Sequence, residues 1–235
     1  MRIVQPPAGP IMAIAAHPDD IESWCGGTLA LAVQAGAETR LLLVTSGDKG
    51  SADPDADPVD VARRREAEAT EAGRRLGLAE VAFLRYLDGE VEATHRLRGE
   101  LVRWIRQWRP VTLFTHDPEL PEPPYIFHRD HRVVGRAALD AVYPLARDPL
   151  AFPEQRDEDL LPHHVARVWL FASAQADSYV DIRGGFEQKL TARLAHTSQT
   201  SDPSVLPASW QERAARVGAP AGLPLAEVFT VLDVG

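Results

Sequence analysis

The stretch Ile11-Met12-Ala13-Ile14-Ala15-Ala16-His17-Pro18-Asp19-Asp20 runs from six apolar residues straight into a histidine and two aspartates. A short apolar run without alternation predicts a strand buried on both faces, as in a parallel sheet. Asp19 and Asp20 are natural N-caps for a helix over about 21–35, which Gly36 would stop. Strand, polar turn and helix together make the opening of a βα unit.

The same rhythm continues along the chain. Apolar runs at 41–45, 81–86, 111–115 and 165–172 predict further strands. Asp57-Pro58 caps and begins a helix that ends at Leu76, before Gly77, and Thr94 caps one in which Leu97, Leu101, Ile105 and Trp108 recur at helical spacing. Helices are also predicted over about 130–145 and 185–196, irregular chain over 148–164, and an edge strand over 227–234. Strands alternating with helices predict an α/β fold: a Rossmann-like, doubly wound, mostly parallel sheet with helices on both faces. With no repeat and no second core, residues 1–235 read as one domain. Such sheets bind ligands beyond the carboxyl ends of their strands, so the chemistry is expected in those loops.

Two clusters fall there. His17-Pro18-Asp19-Asp20 follows the first strand, and His128-Arg129-Asp130-His131 follows the strand at 111–115 and enters a helix. A catalytic zinc site takes three nitrogen or oxygen ligands and leaves one position for water. His17, Asp20 and His131 supply that set. Zn²⁺ is the expected ion, although Fe²⁺ or Mn²⁺ suits the same ligand types. Asp19, between two ligands, is placed to take a proton from a metal-activated water. His128 would stabilise a tetrahedral oxyanion or protonate a leaving nitrogen, with Asp130 fixing its tautomer. The competing reading makes Asp19 and Asp20 helix caps alone. Two clusters with complementary ligand types at two strand ends favour the metal site.

Net charge is −9, which argues against nucleic acid or an anionic membrane surface as the main partner. Residues 1–10 hold no signal-like apolar run, and no stretch approaches a membrane span. One cysteine, Cys25, excludes an internal disulfide and fits a cytoplasmic setting. A homo-oligomer is left open.

The segment Ala15-Ala16-His17-Pro18-Asp19-Asp20, followed by Cys25-Gly26-Gly27-Thr28-Leu29, resembles the signature of the LmbE-like, or PIG-L, deacetylase family. The likeness continues through Thr45-Ser46-Gly47-Asp48, Arg63-Arg64-Arg65-Glu66-Ala67, Leu87-Asp88-Gly89, the second histidine cluster, and Lys189 with His196-Thr197-Ser198-Gln199. The resemblance implies a zinc-dependent hydrolase that removes N-acetyl groups from amino-sugar conjugates of the N-acetylglucosamine type. It implies His17, Asp20 and His131 as metal ligands, Asp19 as general base and His128 beside the tetrahedral intermediate. It also implies Arg63 and Asp88 as substrate-binding residues. Where the family usually carries proline, this chain has Arg129, and Tyr125 stands one residue further from His128 than a tyrosine of some relatives. Rival readings are an amidase acting on larger amides, a tailoring deacylase, a phosphohydrolase with a harder metal, and a metal-binding protein without catalysis.

Overall fold

The computed structural model describes residues 1–119 and 128–235; Tyr125 lies outside the described residues. Eight strands form one sheet: β1 (Arg2–Ile3), β2 (Ile11–Ala15), β3 (Thr39–Thr45), β4 (Glu80–Tyr86), β5 (Thr112–His116), β6 (Arg167–Phe171), β7 (Ser178–Asp181) and β8 (Ala226–Asp233). Their order is β1-β7-β8-β6-β5-β2-β3-β4. The run β6-β5-β2-β3-β4 is parallel throughout, while β8 pairs antiparallel with both β6 and β7. The C-terminal strand is therefore interior, not the edge expected from its sequence. Its burial is uneven, with Ala226, Glu227 and Phe229 buried and the residues beyond them half-buried or exposed, and only its partners decide its place.

Helices α1 (Asp20–Trp24), α2 (Gly26–Gln34), α3 (Pro58–Leu76), α4 (His95–Trp108), α5 (Arg129–Asp140), α6 (Phe186–Arg193) and α7 (Leu206–Gly218) cover the two faces. Ile11, Ala13 and Ala15 of β2 join one apolar core with residues of α2, α3, α6 and α7, while Met12 and Ile14 join another with residues of α4 and α5. Successive strand side chains point to opposite faces, so a strand apolar at every position is one with helices on both sides.

The expected caps at Asp57 and Thr94 form, each side chain accepting from a backbone N–H of its helix. Two expected helices come out shorter. The first breaks at Cys25 (φ −137°), and Glu227 of β8 receives Gly27 N at 2.9 Å and Thr28 N at 2.7 Å, giving α2 its own N-terminal partner. Gly27 is required there, because a Cβ would lie 2.9 Å from Ile182. The other stops at Asp140, since Tyr143 turns extended (φ −143°, ψ 125°) ahead of Pro144, a residue that disfavours helix before it.

The irregular stretch after α5 is tied down by one buried arginine. Arg106 of α4 donates to the carbonyls of Leu145, Ala146, Asp148 and Ala151 and to Gln155 Oε1, all at 2.9–3.2 Å. Replacing a guanidinium at 2% exposure strands those acceptors without water. Arg106→Leu is expected to lower unfolding free energy by about 3 kcal/mol or more. Urea unfolding measures this, and a loss below ~1 kcal/mol contradicts the arrangement.

A candidate metal centre at the switch point of the sheet

From β2 the chain moves outward through β3 to β4, then returns to the other side of β2 as β5. The carboxyl ends of β2 and β5 thus flank a topological switch point, where loops diverge and leave a crevice. His17 and Asp20 lie just beyond β2, His116 ends β5, and α5 brings in Asp130 and His131 with His128 at its N-cap.

His17 Nδ1 and His131 Nε2 face one another at 3.2 Å. Asp20 completes the triangle, with Oδ1 3.1 Å from His131 Nε2 and Oδ2 3.6 Å from His17 Nδ1. Atoms bound tetrahedrally to one ion at about 2.1 Å stand about 3.4 Å apart. Two imidazole nitrogens and a carboxylate at these separations fit a metal centre. Asp20 is no simple cap: its Oδ2 receives His17 N at 2.7 Å and so closes the turn that carries both residues.

The far side of the His17 ring meets two more carboxylates. Nε2 lies 3.0 Å from Asp88 Oδ1 and 3.3 Å from Asp130 Oδ2, and the latter oxygen also receives Gly89 N at 2.7 Å. A carboxylate on the second nitrogen of a ligating histidine fixes the ring and makes it more basic. Burial is the largest single influence on His17 and acts downward, yet hydrogen bonds to Asp130, Asp20 and Asp88 push its pKa up to about 11. Burial likewise opposes ionisation of Asp20, but His131 and His116 hold it well below the usual carboxylate range. Carboxylates gathered so closely around one imidazole create a demand for a cation, which a divalent ion satisfies.

Asp130 therefore meets the expectation only in part. Its carboxylate bonds His17 and approaches His128 Nδ1 no closer than 3.9 Å. His128 Nδ1 instead receives the Asp130 backbone N–H at 3.3 Å, which leaves the ring proton on Nε2, the nitrogen 3.7 Å from Asp88 Oδ1. Burial lowers the pKa of this ring, so the neutral donor form dominates near pH 7. Asp88 is buried against the cluster, with its N–H donating to Asp48 Oδ1 at 2.9 Å.

Asp19 makes no cap bond and holds a left-handed backbone (φ 90°). Burial, then the neighbouring charge of Asp20, pushes its carboxyl up to about 6, opposed by Arg65, His196 and Arg193. Arg65 Nη2 donates to Pro18 O at 2.7 Å and lies 3.5 Å from Asp19 Oδ1, while Arg193 approaches Oδ2 at 3.8 Å.

Arg63 is not brought to this cluster. It is 74% exposed and paired with Asp60, whereas Arg65 is buried and also donates to Gly47 O. Two residues advance a helix by about 200°, so Arg63 and Arg65 occupy nearly opposite faces of α3. Gly47 (φ +64°) is what admits Arg65, since a Cβ there would sit 2.0 Å from the guanidinium.

Three residues at the site escaped the sequence reading: Arg65, Arg193 and His116. His116 Nε2 is 3.2 Å from Asp20 Oδ2, and its ring stacks on His131 with centroids 4.1 Å apart. Burial depresses its pKa to about 4, keeping it neutral behind the ligands. Its one sequence signal was its place at the end of a strand beside β2. Cavities of about 660 Å³ beside Arg2, Trp169 and Asp233 and of about 510 Å³ between Trp24, Trp210 and Glu227 are lined by none of these residues, so size alone does not locate the chemistry.

The sequence matches the PIG-L family, described as GlcNAc-PI de-N-acetylase, over residues 12–142. The chain belongs to the PIG-L family. Diacetylchitobiose deacetylase of Thermococcus kodakarensis is 31% identical over 193 residues, covering 80% of this chain and 69% of that protein. A 1D-myo-inositol 2-acetamido-2-deoxy-alpha-D-glucopyranoside deacetylase of Thermobispora bispora is 34% identical over 216 residues, covering 81% and 67%. The structure of N,N'-diacetylchitobiose deacetylase from Pyrococcus horikoshii superposes with a TM-score of 0.88 at 28% identity, covering 95% of this chain and 84% of that one. Among the described residues, no helix is long and apolar enough to cross a membrane.

Proposed function

We propose that this PIG-L family member is a zinc-dependent N-deacetylase that hydrolyses the acetamide of an N-acetylglucosamine-type conjugate. The observation that carries the reading is the convergence of His17 Nδ1, Asp20 and His131 Nε2. Relatives named as deacetylases of amino-sugar conjugates support the substrate class.

His17, Asp20 and His131 would hold the ion, which supplies Lewis-acid activation of water and of the acyl oxygen. Asp130 and Asp88 keep the His17 ring oriented through its second nitrogen. Asp19 takes one proton from the attacking water as the new C–O bond forms. Its raised pKa brings it nearer the optimum for a base working close to neutral pH. His128 Nε2–H donates to the carbonyl oxygen as negative charge builds there. When the C–N bond breaks, the proton collected by Asp19 passes to the leaving nitrogen, giving acetate and a free amine. Arg65 and Arg193 hold Asp19 over the site throughout.

Acetate and amine release from a panel of N-acetylglucosamine glycosides tests this reading. Release is expected to fall to background after chelation and return with Zn²⁺. A metal-loaded protein that releases nothing from any acetamido sugar would overturn it, and activity confined to bulkier amides would move the substrate class.

A further inference from the structure

Beside the metal cluster, the start of α3 and the ends of β3 and β4 enclose a cavity of about 370 Å³. Val59, Ala62 and Leu87 give it an apolar wall, and Val59 and Leu87 are themselves exposed, at 63% and 57%. Large apolar side chains left in water around a concavity mark a binding surface more often than chance exposure.

The cavity is tied to the site through Asp88. Leu87 lines it, and the next residue, Asp88, places Oδ1 3.0 Å from His17 Nε2. Asp48 lines it as well and receives the Asp88 N–H at 2.9 Å. A substrate seated at His17 therefore has this cavity as the space for whatever it carries beyond the reacting sugar.

The rim charges say what that is. Arg63, Arg85, Asp48 and Glu66 line the cavity with two charges of each sign. Both guanidinium groups are already engaged: Arg63 with Asp60 at 2.7 Å, and Arg85 with both oxygens of Glu66 at 2.9 and 3.0 Å. An anionic substituent would compete with those carboxylates for the same guanidinium groups, whereas an apolar one needs only the wall.

We infer that this cavity receives the aglycone of the amino sugar and selects an uncharged, largely apolar group such as an aryl or alkyl substituent. The inference rests on the deacetylase reading above and adds the class of the non-reacting half of the substrate.

The test compares the 4-nitrophenyl and methyl glycosides of N-acetylglucosamine on the zinc-loaded protein and its Leu87→Ser variant. Leu87 is exposed, so the variant keeps its fold. The aryl glycoside is expected to show a KM about tenfold below that of the methyl glycoside. Leu87→Ser should raise the aryl KM by about the same factor and leave the methyl glycoside within about twofold. Equal KM values for the two glycosides in the wild type, or an equal loss on both in the variant, would overturn the inference. Calorimetric binding of 4-nitrophenyl glucosaminide, the product amine, reads the cavity without hydrolysis. Should no acetamido sugar be cleaved while this ligand binds the wild type and not Leu87→Ser, the deacetylase reading fails and the apolar cavity stands. Should the methyl glycoside be cleaved with no aryl preference in either assay, the cavity assignment fails and the deacetylase reading stands.

Discussion

Asp19→Asn lowers turnover by about 10²- to 10⁴-fold, the usual contribution of a general base, and leaves the metal in place. Asparagine matches the shape of the side chain but cannot accept the water's proton. It also tolerates a positive φ better than most residues, so the turn at φ 90° survives the exchange. The metal is retained because Asp19 is not among the converging residues His17, Asp20 and His131, and its oxygens face Arg65 and Arg193 instead. Steady-state rates on an N-acetylglucosamine glycoside, paired with elemental analysis, measure both halves. A rate within a few-fold of the wild type would remove Asp19 from the chemistry, and loss of metal would make it a ligand.

His131→Ala abolishes metal binding and activity together. His131 is the most exposed of the three ligands, so its truncation costs the fold less than loss of Asp20, which also receives the His17 N–H and contacts His116. Two remaining ligands hold a divalent ion far more weakly than three. Removing Lewis-acid stabilisation worth several kcal/mol lowers the rate by about 10³-fold or more. The paired readout is metal per chain and acetate release at saturating substrate. A variant that keeps full occupancy would show that another residue completes the centre.

The parallel core was legible because each inner strand is a short apolar run between turn residues, and because Asp57-Pro58 and Thr94 mark helix starts chemically. What escaped was information that sits elsewhere in the chain. The break at Cys25 depends on Glu227, some two hundred residues away, reaching the N–H groups of Gly27 and Thr28. The two-residue β1, the four-residue β7 and the helix Leu206–Gly218 were not anticipated, since two strands are too short for a pattern and the helix carries charge within its apolar stripe.

At the site the same division holds. His17 and Asp20 are joined by one tight turn that local spacing shows, and His131 reaches them because both clusters follow strands that flank the switch point. Three consecutive arginines, by contrast, do not announce which one turns inward. The rotation of α3 against the Gly47 turn brings Arg65 to Asp19, whereas Arg63, the arginine the resemblance implies, lines the cavity beside Leu87. Asp130 was expected at His128, its neighbour in sequence, but α5 carries its carboxylate to His17 on another element. Geometry between elements is what the local pattern lacks.

Metal content of the purified wild-type chain, measured by elemental analysis, bears most directly on the claim that His17, Asp20 and His131 form a catalytic centre. The account predicts about one divalent ion per chain, zinc by preference, removable by chelator and restored on reloading. A folded protein that takes up no divalent ion under any loading condition would contradict it.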